Sequence, residues 1–309
     1  MIKKGAAVAI IILNWNGLGD TVECLESLRR IAYPSYKIVV VDNGSKGNDA
    51  SILEKKYGKV IDIIRSKTNL GFAGGCNIGI RRALKTDATY ILFLNNDTTV
   101  ESQFLTALVE VANNDKQIGI VGPKIYYYDD PHRIATVGGT VNFWTGNAPL
   151  IGRGTVDHGE FEDVREVDYV SGCALLIKKE VVKRIGIFEE DYFAYFEETD
   201  LCTRARRSGY KVVVAPKSIV WHKVSRSEKS GVISLYFMTR NRFLFMKKNA
   251  TGIHFPFFVL FFLFTDFVLK MESAKLFKKP RLFSAYLKGA YDGMRIGLGA
   301  ELKAPRKLQ

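Results

Sequence analysis

The chain has 309 residues, of which 47% are hydrophobic and 25% are charged, so it can build a sizeable core and wholesale disorder is excluded. The length allows one large domain with an appendage, or two domains. The net charge of +13 is uneven: residues 1–222 carry 28 Lys and Arg against 27 Asp and Glu, whereas residues 223–309 carry 17 against 5. The four cysteines form no CxxC pair, which argues against a zinc site and favours a reducing compartment.

The first part of the chain predicts strands that alternate with helices. Apolar β-branched runs indicate buried strands, and apolar residues at helical spacing indicate amphipathic helices. The predicted strands are 8–13, 37–41, 60–65 and 90–94, and the predicted helices are 21–30, 51–57 and 75–84. The N-terminal apolar run has no small-residue cleavage site after it, so we interpret it as a strand and not as a signal peptide. This alternation predicts an α/β, Rossmann-like, mainly parallel sheet with ligands at the carboxyl ends of the strands.

The second part of the chain is less regular. Residues 118–170 predict short strands and loops, and the regular elements after them are a strand at 173–178, helices at 179–185 and 200–208, and a strand from 211. We predict a catalytic domain at residues 1–225 and a basic, Phe-rich helical extension at residues 226–309. The apolar run Phe255–Phe264 is shorter than the ~20 residues of a transmembrane helix. With lysines on both sides, it predicts a monotopic or re-entrant membrane element.

Two polar segments after predicted strands suit a nucleotide. Asp42 can accept hydrogen bonds from a base or ribose, or it belongs to a turn in which Asp and Asn satisfy local backbone groups. The loop 69–77 has neither Walker nor GxGxxG spacing. Its glycines still allow close backbone approach, and the helix after it offers free amides to an anion. The alternative for this loop is a flexible turn.

Three further positions suit catalysis. Asp97 follows the strand 90–94 and can bind Mg²⁺ or Mn²⁺, because such ions keep waters and take oxygens from phosphates; alternatively it caps a helix. His222 is a candidate nitrogen ligand of the metal, or a structural histidine. The segment Phe196-Glu197-Glu198-Thr199-Asp200 carries three acids amid aromatic residues, where a carboxylate of raised pKa can act as a base. Acids there also complement the dipole of the helix that follows.

The order of these motifs resembles the family 2 glycosyltransferases, and most closely their rhamnosyltransferase-like branch. The motifs are Asn14-Trp15-Asn16, Asp42-Asn43-Gly44-Ser45, the 69–77 loop, Leu94-Asn95-Asn96-Asp97, Gly172-Cys173-Ala174, the segment 196–204 and Trp221-His222, within about residues 6–245. The resemblance implies a GT-A fold, a nucleotide-sugar donor, a divalent metal and inversion at the anomeric carbon. Asp97 matches the last acid of the family's DxD motif, and Asn95 replaces the first. Glu198 stands where the family usually has the catalytic Asp of a Glu-Asp pair, which leaves the base open among Glu197, Glu198 and Asp200.

We therefore expect an inverting, metal-dependent glycosyltransferase at the cytoplasmic face of the cell membrane. It would move a sugar, with rhamnose as the candidate, from a nucleotide diphosphate donor to a lipid-linked or cell-surface polysaccharide acceptor. Asp97 and His222 would hold Mg²⁺ or Mn²⁺, and Glu198 would be the base. The residues expected at the nucleotide-sugar site are Asn14, Asn16, Asp42, Asn69, Gly71, Phe72, Gly74, Asn77, Asn95 and Asn96. A homo-oligomer is left open.

Two other classes of function remain. A nucleotidyltransferase would carry a Gly-rich, basic triphosphate loop near the N-terminus, and Asn14-Trp15-Asn16-Gly17 lacks the basic residue. A non-catalytic nucleic-acid binder would explain the basic tail. The apolar run inside that tail suits a membrane better than a phosphate backbone, so we expect a membrane-surface partner and no nucleic acid.

Overall fold

The computed structural model describes residues 6–223, 231–269 and 279–300 in full, and the backbone of residues 270–272. The chain forms two compact units. The first unit comprises Met1–Thr140, Leu150–Phe193 and Glu197–Val224, and the second comprises Val141–Pro149, Ala194–Phe196 and Ser225–Gln309. The domain boundary predicted between residues 225 and 226 lies outside the described residues.

The first unit is built on one sheet, to which the described residues contribute ten strands. The strands are β1 (Val8–Asn14), β2 (Tyr36–Asp42), β3 (Ile61–Arg65), β4 (Tyr90–Asn95), β5 (Thr98–Val100), β6 (Ile118–Tyr127), β7 (Ile134–Thr136), β8 (Arg165–Glu166), β9 (Ala174–Lys178) and β10 (Lys211–His222). Their order is β3-β2-β1-β4-β9-β6-β10-β5, with β7 on β6 and β8 on β10. The first four strands are mutually parallel, as are β6 and β10, whereas β9 runs antiparallel to both its neighbours. The predicted α/β fold with a mainly parallel sheet is confirmed.

Helices of the first unit cover the sheet. They are α1 (Leu18–Leu28), α2 (Asp49–Tyr57), α3 (Gly71–Leu84), α4 (Phe104–Asn114), α5 (Lys179–Ile185) and α6 (Glu197–Arg207). In α1, Cys24, Leu25 and Leu28 share one helix face and are buried against the strands. Full burial of each such leucine stabilises the fold by about 1.5–3 kcal/mol. α6 begins three residues before its predicted start, so it includes the first two acids of the acidic segment.

β6 is the main departure from the predicted elements. Its ten residues form a long strand whose first eight are buried, where the sequence predicts short strands and loops. The strand is not predicted at this length because glycines at two of its positions interrupt the apolar pattern. A Cβ at Gly119 would lie 2.8 Å from the Tyr210 Cβ, and one at Gly122 would lie 2.6 Å from the Val170 Cβ. Neighbouring side chains therefore fill the space that a strand residue normally occupies itself.

The second unit is helical and rich in aromatic residues. Its helices are α7 (Val232–Asn249), α8 (His254–Phe261), a π-helical turn (Phe262–Asp266), α9 (Phe267–Glu272) and α10 (Pro280–Gly297). Phe243 of α7 stacks edge-on against Phe258 and Phe262, with centroids 4.9 and 4.7 Å away. α10 crosses α7 closely, because a Cβ at Gly293 would lie 2.5 Å from the Phe243 ring. This aromatic cluster is the core of the unit.

The Phe-rich run divides into a packed and an exposed side. Phe258 and Phe262 are fully buried in the core of the second unit. Other large apolar side chains in this run and next to it are exposed: Ile253, Phe257, Leu260, Leu263, Phe264, Val268 and Leu269. Within the described ranges, no helix combines the length and the apolar character that a membrane crossing requires. The run is therefore partly a core segment and partly an exposed apolar face.

Candidate active site

Three parallel strands end side by side at the candidate site. Asn14 at the end of β1 pairs in register with Asp42 at the end of β2. On the other side of β1, Leu13 pairs with Asn95 at the end of β4. The carboxyl ends of neighbouring parallel strands thus bring three predicted site positions to one edge of the sheet.

The Asn14 side chain contacts several polar residues at this edge of the sheet. It is fully buried, and its Nδ2 lies within hydrogen-bond distance of Asp42 Oδ1 (3.0 Å), Asp49 Oδ2 (3.1 Å) and Ser45 Oγ (3.2 Å). The Thr21 hydroxyl donates to Asn14 Oδ1 at 2.8 Å. Sequence reasoning missed Asp49, whose position in the first turn of α2 indicates only a helix-dipole role. Asn14 thus orients two acids, and a direct contact with the donor stays a prediction.

Asn16 and Ser45 shape the loop that follows Asp42. Asn16 is exposed, has a φ of 52° and accepts a 2.8 Å hydrogen bond from the Lys46 N–H on its Oδ1. Its own N–H donates to Ser45 Oγ at 2.9 Å, and that hydroxyl donates to Asp42 Oδ1. Asp42 therefore lies in a hydrogen-bonded turn, as one alternative predicted, and also at the carboxyl edge of the sheet, as the other required.

The 69–77 loop is ordered by an asparagine that the sequence analysis did not single out. Asn43 Nδ2 donates to Asn69 Oδ1 and to the Gly71 carbonyl oxygen, both at 3.0 Å, and Asn43 Oδ1 accepts from the Leu70 N–H at 3.0 Å. The Gly71 N–H donates to Asn69 Oδ1 at 2.8 Å. The only signal for Asn43 was its place beside Asp42. These bonds tie the loop to the end of β2, which is not the behaviour of a flexible turn.

The glycines of this loop permit close approach. Gly71 has a φ of +74°, and a Cβ there would lie 2.4 Å from the Phe193 carbonyl oxygen. A Cβ at Gly74 would meet the Leu70 Cβ at 2.9 Å, and one at Gly75 would meet the Leu13 side chain at 2.4 Å. α3 starts at Gly71 with no side-chain cap, so amides of its first turn remain for an anion. Two of these amides are already engaged: the Gly71 N–H donates to Asn69 Oδ1 at 2.8 Å, and the Ala73 N–H donates to Phe193 O at 3.2 Å.

Asp97 and His222 lie together. The residues after Asp97 form β5, which pairs with β10, so the helix-cap alternative for Asp97 is wrong. The pairing brings His222 Nε2 to 3.1 Å from Asp97 Oδ1. In the preceding run, the Asn96 side chain donates to Thr21 Oγ1 at 2.9 Å, and Asn95 is half-buried at the end of β4. Within the described ranges there is no group of three or more His, Cys, Asp or Glu that could hold a metal, and metal binding by this pair stays a prediction.

The Asp97–His222 pair is electrostatically complementary. Burial alone would raise the pKa of the Asp97 carboxyl, but the hydrogen bond with His222 and its charge hold that pKa below its usual range. Burial acts to lower the pKa of His222, and the neighbouring Cys173 and Asp97 outweigh it and raise that pKa well above its ordinary value. The pair is therefore favoured as an ion pair, with a carboxylate facing an imidazolium.

The acids of α6 lie in different environments. Glu197 is almost fully buried, and burial, followed by the charge of Glu198, raises its pKa well above the usual range. Glu198 is half-buried at the next position. Asp200 is buried and accepts a 2.7 Å hydrogen bond from Arg204 Nε, and Arg204 also donates to the carbonyl oxygens of Ile185 and Ile187. Of the three acids, Glu198 is the only one that is not fully buried, although its Oε2 atom is shielded from solvent.

Glu198 and the first turn of α3 both lie beside Gly172. A Cβ at Gly172 would lie 3.4 Å from the Glu198 Cβ and 3.6 Å from Cε1 of Phe72. Phe72 itself is half-buried in the first turn of α3. Three motifs that are far apart in sequence therefore meet around Gly172: the 69–77 loop, the 172–174 turn and the acidic helix.

These features define a class of protein. A mainly parallel sheet presents acids and amides at its carboxyl edge, next to a Gly-rich helix start, an aspartate–histidine pair and a half-buried glutamate. Together with the comparisons below, they define a glycosyltransferase of GT-A fold that uses a nucleotide-sugar donor. The model of the family described as "Glycosyl transferase family 2" matches residues 9–186, and the chain belongs to this family. Within it, the chain is of the rhamnosyltransferase-like branch.

Similar proteins agree with this assignment. The "Low-salt glycan biosynthesis hexosyltransferase Agl10" of Haloferax volcanii is 26% identical over 242 residues, which cover 77% of this chain and 74% of that protein. The "N-acetylglucosaminyl-diphospho-decaprenol L-rhamnosyltransferase" of Mycobacterium tuberculosis is 23% identical over 248 residues, 74% of this chain and 80% of its own. Among solved structures, the mannosyltransferase PcManGT of Pyrobaculum calidifontis, in complex with GDP-Man and Mn²⁺, has a TM-score of 0.60 at 13% identity. It covers 93% of this chain and 86% of its own.

Proposed function

We propose that this glycosyltransferase is an inverting, metal-dependent enzyme with Glu198 as its general base. It would transfer a sugar, with rhamnose as the candidate, from a nucleoside diphosphate to a hydroxyl of a lipid-linked or cell-surface saccharide. The observation that carries this proposal is the place of Glu198, half-buried beside Gly172 and next to the buried Glu197. The name of the mycobacterial relative, an L-rhamnosyltransferase that acts on a lipid-linked sugar, supports the choice of sugar and acceptor.

The two adjacent glutamates would have different roles in the transfer step. Burial raises the pKa of Glu197 well above the usual range and so favours its protonated form. A neutral Glu197 does not repel the charge on Glu198, which is then available as the base. The acceptor oxygen would bond to the anomeric carbon as the bond from that carbon to the diphosphate breaks on the opposite face. The hydroxyl proton passes to Glu198, and one such displacement inverts the anomeric configuration.

The residues present fit a divalent metal. Two cis ligands at 2.0–2.1 Å from an octahedral ion are separated by about 3 Å, and Asp97 Oδ1 lies 3.1 Å from His222 Nε2. Mg²⁺ and Mn²⁺ prefer oxygen ligands, which the Asp97 carboxylate supplies, and His222 would add a nitrogen ligand once its Nε2 is deprotonated, with remaining positions left for water and diphosphate oxygens. Bound there, the ion would neutralise the diphosphate leaving group. Asp97 and His222 are the residues that would hold it.

The donor would lie along the carboxyl edge of the sheet. Asp42, oriented by Asn14 and Ser45, would accept hydrogen bonds from the base or ribose. The 69–77 loop, tied to Asn43, would line the nucleotide, and the first turn of α3 would face its phosphates. Asn95 and Asn96 lie between these groups and Asp97, where the sugar would be held.

We further propose that the acceptor is reached at the cytoplasmic face of the membrane. The support is the exposed apolar face of the second unit, which includes Phe257, Leu260 and Phe264, in the part of the sequence that carries the excess positive charge. Apolar side chains can enter the headgroup region, while basic residues attract anionic lipid. Membership of the glycosyltransferase family sets aside the nucleotidyltransferase and nucleic-acid-binding alternatives.

A paired substitution tests the base. Nucleoside-diphosphate release would be measured with a panel of nucleotide sugars, Mn²⁺ or Mg²⁺, and saccharide-lipid acceptors. Glu198→Gln should bind donor normally and lose turnover by about 10²–10⁴-fold. Glu197→Gln is the matched control, since an amide resembles a protonated acid, and it should keep most of the turnover. If Glu197→Gln were inactive and Glu198→Gln active, the assignment of the two residues would be reversed.

A further inference from the structure

The segment before the acidic helix is clamped to α3 at two points. We use the name clamp segment for residues 188–193, which include a short 3₁₀ turn at Glu190–Tyr192. Asn77 holds its first residue: Asn77 Nδ2 donates to Phe188 O at 2.9 Å, and the Phe188 N–H donates to Asn77 Oδ1 at 3.1 Å. Asn77 Nδ2 also lies 3.0 Å from Glu190 Oε1. The amide thus engages both backbone groups of one residue, as a neighbouring strand would.

The side chain of Phe188 strengthens this first point. It is buried, with its ring centroid 4.8 Å from that of Phe93 in β4 and 6.1 Å from that of Phe72 in α3. Asn77 itself is fully buried, five residues into the helix from Phe72. With its amide engaged by the clamp segment and no surface exposed, Asn77 is better placed to hold protein backbone than to touch a donor.

The second point lies at the other end of the clamp segment. The Ala73 N–H donates to the Phe193 carbonyl oxygen at 3.2 Å, and Gly71 approaches so closely that no Cβ would fit. Phe193, Tyr195 and Phe196 all have positive φ, between 63° and 73°. Aromatic residues rarely adopt this conformation, and it persists where the surroundings impose it. Glu197 and Glu198 follow immediately in the chain.

We propose that Asn77 is a positioning residue that makes the donor loop and the acid pair move as one body. The first turns of α3 would meet the donor phosphates, and the same turns hold the clamp segment at Phe188 and Phe193. Donor binding that further restrains the first turns of α3 would therefore also restrain the chain leading to Glu198. This inference rests on the proposed donor site and on the proposed role of Glu198.

The central experiment removes the Asn77 amide. Asn77→Ala should leave the affinity for nucleoside diphosphate within about 3-fold and lower kcat by roughly 100-fold, since a misplacement of about 1 Å can cost that much. The control is Ile80→Ala, which removes a buried side chain of the same helix without touching the amide contacts. If the two variants lose similar amounts of melting temperature, Ile80→Ala should keep a far larger share of the wild-type kcat than Asn77→Ala. Equal kcat losses in the two variants would overturn the proposal.

Hydrogen exchange gives a readout that a merely structural role would not move. In the wild type, the nucleoside diphosphate that most raises the melting temperature, added with Mn²⁺, should protect both 69–77 and 188–198. In Asn77→Ala, protection of 69–77 should persist and that of 188–198 should be lost. Loss of both, or retention of both, would overturn the proposal.

A milder variant covers the case in which Asn77→Ala does not fold. Glu190→Ala removes one partner of Asn77 from a half-exposed side chain, and should reduce protection of 188–198 in the same direction. Unchanged protection there would overturn the proposal. If Glu198→Gln retained turnover, the base would be wrong, but the exchange experiment would still report whether α3 and the clamp segment are linked.

Discussion

Replacement of Asn14 by alanine should destabilise the first unit before it affects any donor contact. Asn14 Nδ2 is within hydrogen-bond distance of the carboxylates of Asp42 and Asp49, which are 7% and 9% exposed. A hydrogen bond to a charged group contributes about 1.5–3 kcal/mol, so the loss of two should lower the free energy of unfolding by roughly 3–6 kcal/mol. For a unit of this size, 1 kcal/mol corresponds to about 2–4 °C, so the melting temperature should fall by roughly 6–24 °C.

The assay is thermal unfolding of the wild type and Asn14→Ala, each with and without nucleoside diphosphate and Mn²⁺. Thr21→Val is the matched control, because it keeps the side-chain shape and removes the hydroxyl that donates to Asn14. It should cost less, about 1–2 kcal/mol. If Asn14→Ala melted within about 2 °C of the wild type but lost its response to nucleotide, the reasoning would be refuted and Asn14 would be a donor ligand.

Three further predictions address the metal, the ion pair and the membrane. Asp97→Ala should abolish metal-dependent donor binding in calorimetry, and unchanged metal dependence would remove Asp97 from the site. Asp200→Asn should lower the free energy of unfolding by about 3 kcal/mol through loss of the buried contact with Arg204, while the folded fraction keeps turnover; complete inactivity of a folded variant would make Asp200 the base. Binding to anionic vesicles should weaken at high salt without vanishing, because the apolar contribution survives salt. The remaining binding should disappear when three exposed apolar residues are replaced by serine, and it should persist in the control Ile52→Ser/Val60→Ser. Wild-type protein that stays off vesicles at every salt concentration would refute the membrane proposal. The three positions are Phe257, Leu260 and Phe264.

The sequence predicted the strand ends better than the contacts made there. Apolar runs locate β1, β2 and β4 because a buried parallel strand must be apolar along its length, and Asp42 and Asn95 follow as their last residues. Turns and metal sites use the same residue types, so the sequence pattern could not distinguish a residue that binds a ligand from one that only hydrogen-bonds its neighbours, such as Asn14 or Asn43. The division between Phe258 and Phe257 was also beyond the pattern, because it depends on which side of the helix faces the rest of the second unit.

The position of β10 in the sheet has a consequence for how the protein folds. β1 to β4 are close in sequence and can pair early, whereas β10 is the last strand among the described residues and lies between β6 and β5. Pairing over such sequence separations is slow, because the entropic cost of closing the loop arises before the stabilising contacts form. Until β10 arrives, the buried face and open edge of β6 are exposed on a nascent chain, and such edges promote aggregation. Asp97 acquires its histidine partner only when β10 pairs, so the Asp97–His222 contact forms in the same step that completes the sheet.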